Sequence, residues 1–129
     1  MAFELFVNGT LMRGLALHPN MGDSEFLGEF RTAPRYRVHT IGDVHPGMYR
    51  LDEGEEGGAS IIGELYLVAD ETWAAIEAGE PPNLYRGKVE LEDGREFYGI
   101  LFPRPLAEQY PEITSFGGWR GYWESKNKK

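Results

Sequence analysis

Short apolar runs separated by glycine- and proline-bearing breaks dominate the chain, and helical stripes are rare. Phe3 to Val7 is apolar and ends at Asn8-Gly9, which predicts a buried strand followed by a turn. From Thr10 to Gly22, the residues Gly14, Pro19 and Gly22 leave room for a short helix at most. Glu25 to Phe30 predicts a strand, and Thr32-Ala33-Pro34 a break. Tyr36 to Ile41 alternates and stops at Gly42, as a half-buried strand does, and Gly47 to Leu51 predicts another. Asp52 to Gly58, acidic and glycine-rich, reads as a solvated hairpin tip, and its carboxylates lack the spacing of an EF-hand loop. Ser60 to Val68 carries Ile61, Ile62, Leu65, Tyr66, Leu67 and Val68 and is the strongest predicted strand.

Asp70 to Ala78 predicts a helix, with Asp70 as its N-cap and Gly79 at its end. Pro81-Pro82 forbids its continuation. Tyr85 to Leu91 and Glu96 to Phe102 predict a hairpin around Glu92-Asp93-Gly94-Arg95. Leu106 to Tyr110 allows one helical turn, and Ile113 to Trp123 is aromatic and glycine-rich. Six or seven strands with one clear helix, not in alternation, argue against a doubly wound parallel sheet. An α+β fold is expected, a small mixed β-barrel of six to seven strands with few helices, because closure removes sheet edges.

The length of 129 residues suits a single domain over 1–129, and 41% apolar residues suit a globular one. No cysteine is present, which removes disulfides, thiolate metal sites and a cysteine nucleophile and fits a cytoplasmic protein. A net charge of -8 argues against nucleic acid and anionic membranes as partners. No apolar run is long enough to span a bilayer. Met1 to Leu5 lacks a basic region and reads as the start of a strand, so no signal peptide is expected. Lys126-Asn127-Lys128-Lys129 reads as a frayed basic tail.

Three segments could carry chemistry. In Asn8-Gly9-Thr10-Leu11, glycine permits close approach, and successive N–H groups can form a nest for a carboxylate; an ordinary turn is the alternative. Glu80 sits at a helix end before two prolines, where partial burial would raise its pKa towards that of a general base; a solvated glutamate is the alternative. In Phe116 to Tyr122, Arg120 could pair with a carboxylate and the aromatics could cover a pocket; packing on the sheet is the alternative. His18, His39 and His45 have no metal-binding spacing, so no metal site is expected. There is no G-x-S-x-G elbow, P-loop or dinucleotide fingerprint.

Taken together, Asn8-Gly9-Thr10-Leu11, Phe26 to Tyr36, His45-Pro46-Gly47-Met48 and Gly63-Glu64-Leu65-Tyr66 resemble the gamma-glutamylcyclotransferase-like superfamily, which includes the AIG2-like proteins. Its opening loop has the form Y-G-[ST]-L, with Asn8 here in the aromatic position. Its L-D-x-x-E pattern falls on Ile76-Glu77-Ala78-Gly79-Glu80, with Leu84-Tyr85-Arg86 following. The resemblance implies that Glu80 is the catalytic acid/base and that Asn8, Gly9, Thr10, Leu11 and Tyr85 bind substrate. Thr32 to Arg37 and Ile113 to Tyr122 are similar to one branch, the C-terminal domain of allophanate hydrolase, which is fused there to an amidase.

The resemblance to the superfamily implies a cofactor-free cyclotransferase that frees 5-oxoproline from a γ-glutamyl amine. The resemblance to the allophanate hydrolase branch implies a stand-alone domain acting on a small carboxylated carbamate or urea-like compound, with Arg120 on the substrate carboxylate. A third expectation is a non-catalytic subunit that docks on an amidase through exposed Trp119, Tyr122 and Trp123. A small carboxylated substrate is the expected partner, with room left for an amidase partner and a homo-oligomer.

Overall fold

The computed structural model describes residues 1–127, so Lys128 and Lys129 of the expected frayed tail lie outside the described residues. The strands are β1 (Ala2–Val7), β2 (Glu25–Arg31), β3 (Tyr36–Ile41), β4 (His45–Arg50), β5 (Ile62–Ala69), β6 (Tyr85–Glu90) and β7 (Glu96–Leu101). The α-helices are α1 (Asp70–Gly79), α2 (Arg104–Ala107) and α3 (Trp119–Asn127), with 3-10 turns at His18–Met21 and Thr114–Phe116. No described helix is long and apolar enough to cross a membrane.

Five strands form one mixed sheet in the order β2-β5-β1-β7-β6. β1 lies at its centre, antiparallel to β5 from Ala2↔Ala69 to Val7↔Glu64 and parallel to β7 at Leu5↔Tyr98 and Phe6↔Gly99. Between two neighbours, the second half of the strand is wholly buried at Leu5, Phe6 and Val7, as its unbroken apolar run requires. Among the named strands, β3 and β4 pair with each other as a separate hairpin, which isolated bridges tie to its surroundings at Tyr36↔Ala59 and His39↔Glu112. Its Tyr36, Val38 and Met48 join Leu5, Phe6, Val7, Leu65 and Trp119 in the main core, and the Tyr36 hydroxyl accepts the Glu90 N–H at 2.9 Å.

The expected barrel is not closed: an open sheet and its covering hairpin stand in its place. The edge strands β2 and β6 meet only beyond their ends, where Thr32 bridges Leu91. There the Glu92 N–H donates to the Arg31 carbonyl at 3.0 Å and the Ala33 N–H to the Glu90 carbonyl at 2.9 Å. Strand twist brings two such edges together at a corner and parts them elsewhere.

Four local expectations need correction. Asp70 is the first helical residue of α1, and the N-cap is the extended Ala69, which offers no side-chain oxygen. The acidic stretch 52–58 does not close a hairpin, since β4 and β5 do not pair with each other. It connects the two sheets, and Glu55 is bound by Arg104 from α2. Lys126-Asn127 belongs to α3, where Lys126 pairs with Asp43. Trp119 is an inward anchor rather than an exposed one, at 2% exposure. Gly117, at φ 81, ends the preceding 3-10 turn in the left-handed region that glycine accepts freely, and α3 starts two residues later.

Candidate active site

The loop that leaves β1 is wound so that its carbonyls are engaged and its amides are not. The Gly9 carbonyl accepts the Met12 N–H at 3.0 Å, and the Thr10 carbonyl accepts the Leu17 N–H at 2.9 Å. The Leu11 carbonyl accepts Nδ1–H of His18 at 2.9 Å. The N–H groups of Gly9, Thr10 and Leu11 donate to no other described residue. Asn8, 3% exposed, has a side-chain Nδ2 that is buried and without a hydrogen-bond partner. Buried donors are nearly always paired, so the unpaired Asn8 amide, beside the unengaged N–H groups of half-buried Gly9 and Thr10, is poised for an external acceptor. Gly9 has a packing reason as well: a Cβ there would stand 2.8 Å from Cδ and Cγ of Pro46.

Glu80 is placed by the end of α1. A residue before proline is driven out of the helical region, and Glu80 is extended at φ -75 and ψ 144, with its N–H donating to the Glu77 carbonyl at 3.3 Å. Its carboxylate has no hydrogen bond or ion pair among the described residues. Burial alone pushes its pKa from the ordinary 4.5 up to about 7, because low-dielectric surroundings disfavour the charged form.

The loop and the acid line one hollow of about 320 Å³, its open mouth included. Val7, Asn8, Gly9, Thr10 and Leu11 share it with Glu80, and His45, Pro46, Leu84 and Ile100 complete the wall. An adjoining hollow shares Glu80, Leu84 and Ile100, and adds Trp73, Glu77 and Tyr85 among others. The structure thus brings Asn8, Gly9, Thr10, Leu11 and Glu80 together and puts half-exposed Tyr85 next door. It does not bring Arg120 to either hollow. That guanidinium donates to Oε2 of Glu64 at 3.0 Å instead, because a buried carboxylate is the stronger call on a nearby cation.

Among the wall residues that sequence reasoning missed, His45 is the one that can titrate. It is 6% exposed, and its Nδ1–H donates to the Pro46 carbonyl at 2.9 Å. Burial holds its pKa below the usual 6.5, outweighing that hydrogen bond, so at neutral pH the imidazole is uncharged and its Nε2 is an acceptor. The available signal was proline inside a strand, in His45-Pro46-Gly47, since proline is rare there without a local reason.

Behind the loop lies Glu64, 1% exposed. Burial acts to raise its pKa, yet the Arg13 N–H, the Tyr66 hydroxyl and the Arg13 guanidinium together hold it below the ordinary value. The Tyr66 hydroxyl, buried beside this carboxylate, is pushed up in turn. Among the described residues, no group of three His, Asp or Glu side chains is placed to hold a metal ion.

A Vibrio cholerae protein provisionally named a gamma-glutamylcyclotransferase is 35% identical over 92 residues, covering 70% of this chain and 74% of that protein. A uropathogenic E. coli-specific protein of known structure superposes with a TM-score of 0.87 at 42% identity, over 95% of this chain and 96% of that one. The fold and this likeness define a gamma-glutamylcyclotransferase-like protein. Within that class, the signature of the allophanate hydrolase C-terminal domain matches residues 3–124, and the chain belongs to that family. Allophanate hydrolase of Kluyveromyces lactis superposes with a TM-score of 0.86 at 27% identity; the match covers 98% of this chain but 22% of that enzyme.

Proposed function

We propose that the hollow releases 5-oxoproline from a γ-glutamyl amine by acid/base chemistry centred on Glu80. The N–H groups of Gly9, Thr10 and Leu11 and the Asn8 amide would hold the α-carboxylate of the glutamyl group. The Glu80 carboxylate takes a proton from the α-ammonium, and the freed amine attacks the γ-carbonyl carbon. Glu80 returns that proton to the amide nitrogen as its bond to that carbon breaks, and the regenerated carboxylate passes the second proton of the ring nitrogen to the departing amine, which leaves as its ammonium. The products are 5-oxoproline and a free amine. The attack is intramolecular, so orientation supplies much of the acceleration. The leaving amine would extend into the adjoining hollow beside Tyr85 and Trp73.

One observation carries this reading: a carboxyl with a pKa of about 7 lines the same hollow as three unpaired backbone amides. A base poised near neutrality is what proton transfer from an ammonium requires. The test is 5-oxoproline release from a panel of γ-glutamyl amines. Glu80→Gln should lower it by about 10²- to 10⁴-fold, and turnover near the wild-type rate after the substitution contradicts the mechanism.

The family match favours a second reading, in which the same loop holds a small carboxylated carbamate or urea-like compound made by an amidase partner. Arg120 has no part in it, being held by Glu64. Ammonia release from such a compound, with no 5-oxoproline from any γ-glutamyl amine, would select this reading over the first.

A further inference from the structure

Glu64 holds the site loop at both ends. Its backbone stands opposite Val7, the last residue of β1, while its side chain reaches the far end of the loop. There Oε1 accepts the Arg13 N–H at 2.9 Å and Oε2 accepts Nε–H of Arg13 at 3.3 Å. Two more donors complete the carboxylate: the Tyr66 hydroxyl at 2.9 Å on Oε1, and Nη2 of Arg120 from α3 at 3.0 Å on Oε2. Everything between Val7 and Arg13, including the unpaired amides, is spanned by this one residue.

Stability alone does not require such a group, since a buried ion pair seldom outperforms apolar packing of the same volume. Its distinct property is directional: charge-assisted hydrogen bonds fix where the loop backbone stands. We infer that Glu64, steadied by Arg120, is a positioning residue that sets the Gly9, Thr10 and Leu11 amides for a carboxylate ligand without touching that ligand. Neither Glu64 nor Arg120 lines the hollow. The inference rests on the proposed carboxylate-binding role of the loop.

The experiment is a titration of 15N-labelled protein with 5-oxoproline, followed at the amide signals of Gly9, Thr10 and Leu11 and at the Glu80 carboxyl. The wild type should bind, with those three amides shifting. Glu64→Gln puts an amide donor where Arg120 needs an acceptor, and should weaken binding by about tenfold, the loss expected for one charge-assisted hydrogen bond. Arg120→Ala should weaken it by a few-fold, and Arg120→Lys should restore most of the affinity. In each variant the Glu80 titration should stay in place, whereas general loosening of the hollow would move it as well. If Glu64→Gln does not fold, Arg120→Ala decides. Wild-type affinity in the folded variants, or a Glu80 titration displaced together with the affinity, overturns the positioning role while leaving the carboxylate site intact. Failure of the wild type to bind 5-oxoproline overturns the carboxylate reading and this inference with it.

Discussion

Glu80 and Gly9, one at the end of α1 and the other in the loop after β1, line the same hollow. No described cation or hydrogen-bond donor reaches the Glu80 carboxylate, so desolvation acts on it unopposed. A base must be ionised to accept a proton. The kcat/KM for a γ-glutamyl amine should therefore rise tenfold per pH unit below about 7 and level off above it. A pH–rate profile checks this, and a rising limb near the ordinary carboxylate value of 4.5 would contradict the burial that raises the Glu80 carboxyl.

Replacing Glu80 separates chemistry from stability. Glu80→Gln should lower kcat by about 10²- to 10⁴-fold. Its effect on stability has a definite sign. The folded-state pKa is raised, so the folded protein binds more protons than the unfolded chain between about 4.5 and 7. Wild-type stability therefore falls as pH rises through that window. The substitution should cost little at pH 4 and stabilise at pH 8, by about 2 kcal/mol after allowance for the partial exposure of the group. Denaturant midpoints at the two pH values measure the difference.

Gly9→Ala should damage the fold as well as the site. The added methyl would meet Pro46 at 2.8 Å, closer than a Cβ can stand, and both neighbours are ring atoms with little freedom to move. A loss of about 1–3 kcal/mol is expected, as for overpacking elsewhere. Thermal unfolding reads the loss, and the amide spectrum should show β4 and the loop moving together.

Asn8 should behave in the opposite way. Its Nδ2 donates to nothing in the protein, so truncation breaks no hydrogen bond of that nitrogen and removes a buried donor left unpaired. Asn8→Ala is expected to change stability by no more than about 1 kcal/mol and to raise KM by roughly tenfold. Steady-state kinetics with a melting curve distinguishes this from general damage.

Where physics is local, the sequence was a good guide. The apolar run at Phe3 to Val7 became the central strand, and Pro81-Pro82 ended α1 as expected. The turn at Glu92 to Arg95 closes the β6–β7 hairpin. α3 was not legible, because Gly117, Gly118 and Gly121 with three large aromatics carry no helix-forming signal; tertiary burial of Trp119 supplies what propensity lacks. Sheet closure was not legible either, since it depends on how β2 and β6 approach each other across the molecule. At the site, family resemblance pointed to Asn8-Gly9-Thr10-Leu11 and Glu80, all of which line the hollow. His45 and Ile100 enter it from β4 and β7 through packing alone, and Arg120 went to a buried carboxylate that a sequence-local reading of Glu64 did not mark as a cation sink.

The most direct test is the titration of the Glu80 side-chain carboxyl in the wild-type protein, followed by carbon-13 NMR and assigned with Glu80→Gln. A midpoint of about 7 is expected. A midpoint at the ordinary 4.5 would mean that water reaches the carboxylate freely, and it would contradict a base poised near neutrality in this hollow.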